Sequence, residues 1–163
     1  MVRFLVFVLT VCSIGVLGCS KSDNSTTPST TAPTYGMSAK LDGSGFESQT
    51  GAAIATLQKN GLLTIQGAVT VGAMKQIALS ITNPKTATTY TIGTTTDASA
   101  TVSLGLSTDL IYYAALSAGS GTITITRLSD TEIEGTFALS AVNLKGETLA
   151  VTEGKFAMKL TKL

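Results

Sequence analysis

From Tyr35 to the C-terminus apolar and polar residues take turns along the chain, and this period of two constrains the fold more than any other feature. Ile123 and Ile125 are separated by Thr122, Thr124 and Thr126. After Leu128-Ser129-Asp130-Thr131, the residues Ile133, Gly135, Phe137 and Leu139 alternate with Glu132, Glu134, Thr136 and Ser140. Successive side chains of a strand point to opposite faces, so such a segment offers one face to a core and one to water. Antiparallel sheets permit that arrangement and parallel sheets rarely do. A helix needs apolar residues at a spacing near 3.6, and no stretch has it.

The pattern predicts strands at about 36–41, 52–58, 62–69, 75–82, 88–92, 100–105, 110–116, 121–128, 132–142 and 147–161. Turn residues separate them: Lys59-Asn60-Gly61, Asn83-Pro84, Leu128 to Thr131 and Asn143 to Gly146. Asn-Gly between two apolar runs is a strong hairpin signal. One irregularity stands out. The apolar positions are odd-numbered through Leu149 and Val151 but even-numbered at Phe156, Met158 and Leu160, so one extra residue is absorbed between them. A β-bulge at Glu153 and Gly154 does this while bending the strand. The expected fold is all-β, an antiparallel sandwich or flattened barrel of about ten short strands, mostly hairpin-connected.

Residues 1–34 read differently. Arg3 precedes an apolar run from Phe4 to Leu17, and Val16-Leu17-Gly18-Cys19 has the form of a lipobox. The run is too short for a membrane span of roughly 20 residues and fits a secretory signal. Residues 1–18 are therefore expected to be a lipoprotein signal peptide, cut between Gly18 and Cys19, with Cys19 the lipidated residue and the tie to the membrane. Ser, Thr and Pro dominate the stretch that follows, which holds nothing large and apolar, so 19–34 is expected to be a lipidated cysteine and disordered linker. As flexible coil such a linker averages about 20 Å end to end. Residues 35–163 are then the β domain.

Several stretches together resemble a family of small Bacteroidota-type lipoproteins, the domain of unknown function 6252. They are Cys19-Ser20-Lys21-Ser22-Asp23, Ser38-Ala39-Lys40-Leu41-Asp42-Gly43 with Phe46, Gly119 to Ile125, Ile133-Glu134-Gly135-Thr136-Phe137 and Val151 to Phe156. Phe46 stands where the family often has tryptophan. The resemblance implies an all-β domain at the outer membrane and brings no activity with it. Surface-exported relatives carry acidic residues close behind the cysteine. Here Lys21 precedes the single acidic Asp23, which leaves the periplasmic and the cell-surface faces as alternatives.

Composition narrows the function. The chain has no histidine, the commonest general base and zinc ligand. Of its two cysteines Cys12 falls in the signal peptide, so no disulfide can form within the mature chain. Loss of Arg3 leaves ten basic against ten acidic residues, too balanced for a nucleic-acid partner. Neither catalytic residues nor a metal site nor a cofactor is expected. Asp130, Glu132 and Glu134 are clustered carboxylates, but two share the outward face of one strand, and a solvated strand face is the expectation. Gly119-Ser120-Gly121 lies between strands and reads as a turn. Of the adjacent Tyr112 and Tyr113 only one can face out, and Tyr112 is the candidate ligand-binding residue. The expected protein is a monomeric, non-catalytic envelope lipoprotein that recognises a protein or glycan. The alternative is a lipocalin-like carrier of a small apolar ligand, which would need a hollow interior.

Overall fold

The computed structural model describes residues 34–163, and this part of the chain is all-β. Its strands are β1 Gly36–Leu41, β2 Ser44–Glu47, β3 Ala53–Leu57, β4 Leu62–Val69, β5 Lys75–Thr82, β6 Thr88–Ile92, β7 Ala98–Ser103, β8 Ile111–Ala114, β9 Ser120–Leu128, β10 Glu132–Val142 and β11 Thr148–Lys162. A 3-10 turn, Thr108–Leu110, precedes β8. The agreement with the expected strands is close because period-two alternation is a strong local signal. Strand β7 begins two residues early, and β2 was not expected.

The strands make one sheet in the order β2-β1-β11-β3-β4-β5-β7-β8-β10-β9-β6, with β10 also paired to β11. The order closes into a ring, a flattened barrel. Strand β11 makes the closure possible by its length of 15 residues. It pairs with β10 along one edge. Along the other it takes β1 as far as Ala157 and then β3, where Leu160↔Ala55 begins a parallel pairing. At the opposite corner Val142 of β10 passes from β9 to β8 by pairing with Tyr113. The β3–β11 pair is a departure from the antiparallel expectation, and it arises because β11 runs on past the start of β1.

The expected bulge lies in β11. Phe137 pairs with Gly154 and Leu139 with Val151, so two steps on β10 match three on β11. Strand β1 registers the same extra residue between Ser38 and Lys40. Glu153 takes it up in a left-handed conformation, φ 54°. The phase change returns Phe156, Met158 and Leu160 to the core beside Val151. A second bulge in β9 was not expected: Glu134 pairs with Arg127 but Gly135 with Ile125, so Thr126 is the extra residue there.

Inside the ring, Phe137 and Phe156 lie stacked with ring centroids 6.4 Å apart. Each covers a glycine on the neighbouring strand. A Cβ on Gly154 would come within 2.6 Å of the Phe137 ring, and one on Gly135 would reach the Phe156 ring. Glycine weakens a strand, and an aromatic laid over it restores the lost packing. Around this pair Leu63, Ile65, Ile77, Leu79, Ile125 and Ile133 are wholly buried.

Candidate functional site

Strand register sorts the loops into two ends. Tyr35 and the start of β1 lie toward the C-terminal part of β11, with Gly36 opposite Ala157. The Tyr35 hydroxyl donates to Glu132 Oε1 at 2.5 Å. This end also holds the carboxylates singled out in the sequence, and cations meet each of them. Lys162 Nζ is 2.5 Å from Asp130 Oδ1, and Arg127 spans Glu132 at 2.7 Å and Glu134 at 3.1 Å. The Lys162 hydrogen bond holds the Asp130 carboxyl below its ordinary range, and the Glu132 acceptor raises the Tyr35 phenol. Among the described residues no group of three or more Asp, Glu, Cys or His could hold a metal ion.

The other end is built around Asn143. Strand β5 starts beside the end of β7, through Gln76↔Ser103, and β7 in turn meets the start of β8, through Ser103↔Ile111. The β4–β5 turn and the β7–β8 loop therefore lie at one end, and Asn143 of the β10–β11 turn bonds the β7–β8 loop there. The Asn143 side chain is 5% exposed, the buried polar residue among those described. Its Nδ2 donates to the Asp109 carbonyl at 2.9 Å and to Glu147 Oε2 at 2.7 Å. Its Oδ1 accepts from the backbone N–H groups of Lys145 at 3.0 Å and Glu147 at 2.9 Å. An amide can bond in this way on both sides, and a buried one must. Above it Lys145 Nζ lies 2.7 Å from Asp109 Oδ2, which raises the lysine's pKa.

The β7–β8 loop and β10–β11 turn, which Asn143 joins, and the β4–β5 turn, which it does not touch, carry aliphatic side chains into water. Leu106, two residues before the 3-10 turn, is 86% exposed, and Leu144, next to Asn143, is 77% exposed. Val71, in the β4–β5 turn, is 75% exposed. Leu106 and Leu144 were not singled out from the sequence, because an isolated leucine between turn residues has no periodic neighbours to show its exposure. Asn143 was expected in a turn, and Asn-x-x-Gly between two alternating segments is a turn in which the asparagine side chain bonds its own backbone; its burial and its bond to Asp109 were not expected.

The tyrosine pair faces the opposite way from the expectation. Tyr112 is 9% exposed and packs in the core, and Tyr113 is 39% exposed. Alternation in β8 decides this, since Ala114 is buried and Tyr112 lies two residues before it. Gly119 is in a turn with φ 71°, but Ser120 and Gly121 already belong to β9. They border a surface cleft of about 540 Å³ with Thr91, Thr122, Ser140 and Thr152. A second cleft of about 410 Å³ lies by Tyr35, Ser38, Glu134, Thr136 and Lys155. Gly18, Cys19, the signal peptide and nearly all of the linker lie outside the described residues. Among those described, no helix is long and apolar enough to cross a membrane.

The family model with the description Domain of unknown function (DUF6252) matches residues 33–158. No curated protein and no solved structure matches the chain.

Proposed function

Because the chain belongs to this family, whose description assigns no activity, we propose a function from the residues themselves. The protein is a lipid-anchored, non-catalytic lipoprotein of the envelope, and its β domain recognises a protein or glycan with its outer surface. The observation that carries this reading is the filled interior. Leu63, Ile65, Ile77, Ile123 and Ile133 each have 0% exposure, so no void of water size touches them. A carrier of a small apolar ligand needs a pocket of several hundred Å³ lined by such residues. Recognition then falls to the loops and the outer faces. Attachment rests on Val16-Leu17-Gly18-Cys19 behind the apolar run. Cys19 is the acyl acceptor and, after cleavage, the first residue, and the outer membrane is the proposed location.

Two measurements test the two halves of the reading. Metabolic labelling with a fatty acid is expected to mark the wild-type chain, and Cys19→Ser is expected to accumulate as an unlabelled precursor. Label in the serine variant would overturn the anchor. The purified lipidated chain is expected to turn over no generic esterase, protease or glycosidase substrate with or without chelator. Chelator-sensitive turnover that survives purification would overturn the non-catalytic reading.

A further inference from the structure

Resting on the surface-recognition reading, we propose that the outer face of β6, β9 and β10 binds an uncharged polysaccharide, whose chain lies along β10 from the cleft at Tyr35 to the cleft at Ser120. Register puts the two clefts on one line. The outward residues of β10 are, in order, Glu134, Thr136, Ala138 and Ser140; the first two border the cleft at Tyr35 and the last two border the other. On β9 Thr126 borders the first cleft, Thr122 and Ser120 border the second, and Thr124 lies between them. Six residues of strand, about 20 Å, separate Glu134 from Ser140, which leaves room for several sugar units.

The chemistry of the face selects the ligand. Ser120, Thr122, Thr124 and Thr126 set a hydroxyl at every second position of β9. Thr89 and Thr91 flank them from β6, and Thr136 and Ser140 from β10. In one row across the strands stand Thr136, Thr124 and Thr89, the last two with their hydroxyls 2.9 Å apart. A hydroxyl both donates and accepts, as those of a sugar do, and a β-branched side chain has little rotamer freedom to lose on binding. No charged residue occurs in 88–92, 120–126 or 136–142. At the Tyr35 cleft Glu134 is paired with Arg127, and Glu47 faces Lys155 across Ser38, so charge is balanced there too. Such a face has no attraction for an anionic glycan or a lipid headgroup. Tyr35 supplies a ring for the C–H face of a sugar to stack on, and its hydroxyl is fixed by Glu132. Lys159, which stands over one face of that ring at 5.8 Å, does not border the cleft.

A protein partner fits this face less well. Both edges of β9 and of β10 are already paired, so no backbone is open to an added strand. Protein interfaces centre on aromatic and apolar anchors, and Ala138 is the one apolar side chain that β10 turns outward between Glu134 and Ser140.

The test uses the purified lipidated full chain in detergent micelles, with hydroxyethyl cellulose, dextran, mannan and polygalacturonate immobilised separately for biolayer interferometry. Saturable binding to at least one of the three neutral polymers is expected, and none to polygalacturonate. Thr122→Lys, which fills the second cleft, and Tyr35→Ala, which removes the ring at the first, are each expected to weaken binding about tenfold or more and to leave the denaturation midpoint nearly unchanged. Ile54→Lys is expected to bind as the wild type does, since Ile54 is exposed on β3, away from this face. The free monosaccharide is expected to compete at least about tenfold less well than fragments of the bound polymer. Equal competition would confine the ligand to one cleft and overturn the path along β10. Binding to polygalacturonate at equal or greater strength would overturn the uncharged ligand, and neutral binding that survives both variants would overturn this face; in each case the recognition reading stands. Benzophenone placed at position 122 or 136, in the cells that make the chain, decides the case in which no polymer binds. A discrete protein adduct would then overturn the polysaccharide and leave recognition standing, and absence of any adduct would overturn the recognition reading itself.

Discussion

The two ends of this barrel both carry exposed ion pairs, and they differ in that one of them also holds a buried polar side chain. At the Tyr35 end the polar groups are outside: Lys162–Asp130, Arg127–Glu132–Glu134 and Tyr35–Glu132 are ion pairs and hydrogen bonds formed largely in water. Exposed pairs of this kind contribute little, because solvent screens them and ordering two long side chains costs entropy. At the other end an exposed pair of the same kind, Lys145–Asp109, stands beside a polar group that is inside. Asn143 is buried with four hydrogen bonds, and Leu106 and Leu144 project from the loops it fixes. Folding alone accounts for the first arrangement. It accounts for the second through the Asn143 bonds, which close the β10–β11 turn and tie it to the β7–β8 loop, while Leu106 and Leu144 gain little from it.

The largest effect expected on stability belongs to neither end and sets the scale for both. Phe137→Ala is expected to cost about 3–5 kcal/mol, the usual loss for a buried aromatic, since Phe137 is 4% exposed and covers Gly154. Thr136→Ala, one step along β10 and facing out, is expected to be nearly neutral. Equal denaturation midpoints for the two variants would contradict the facing of β10.

Next comes the contrast between the ends. Asn143→Ala removes the partners of two backbone N–H groups and one carbonyl at a part-buried site. A cost of about 1–3 kcal/mol is expected for leaving them unsatisfied. Lys162→Ala at the opposite end is expected to change the midpoint little, because both members of its pair stand in solvent. If the lysine variant lost as much as the asparagine variant, the two ends would not differ as described. Hydrogen exchange sharpens the same comparison: Asn143→Ala is expected to expose the Lys145 and Glu147 amides and leave β3 and β4 protected.

How far these features could be read in advance depended on their range. The strands of the central hairpins were legible because Ile133, Phe137 and Leu139 repeat a local period, and the bulge at Glu153 because Val151 and Phe156 fall out of phase. Strand β2 was missed although Asp42-Gly43 announces it. Both residues have positive φ, 46° and 81°, as a two-residue turn of the first primed type needs, and Leu41 pairs with Ser44 across it. The bulge at Thr126 was also written in the chain, since Ile125 and Leu128 lie out of phase. The Tyr112 assignment failed because four residues of β8 are too few to fix which face is inward without knowing that Ala114 packs in the core. The tie between the β7–β8 loop and the β10–β11 turn was not legible at all: Asp109 and Asn143 lie 34 positions apart, and only the passage of β10 from β9 to β8 brings their loops together.

The smallest effect expected is in the dependence of stability on pH, and it separates the ends once more. With no histidine in the chain, nothing is expected to titrate near neutrality, so the denaturation midpoint is expected to be flat from about pH 5 to about pH 9. On the acid side the Tyr35 end responds. The folded-state pKa of Asp130 is lowered by the hydrogen bond and charge of Lys162, so its contribution is present above the unfolded value and is lost as pH falls through the folded one. On the alkaline side both ends respond, with the opposite sign. Tyr35 is raised by its bond to Glu132 and Lys145 by its bond to Asp109, so their contributions are present below the unfolded values and are lost as pH rises through the folded ones. All three groups are exposed, so each slope is shallow and shrinks with added salt. Lys162→Met is expected to flatten part of the acid limb and leave the alkaline limb alone, and Lys145→Met to do the reverse. A step between pH 6 and pH 8 in the wild-type midpoint would show that a buried titrating group governs stability, and would end the account of the charged residues as solvent-facing pairs.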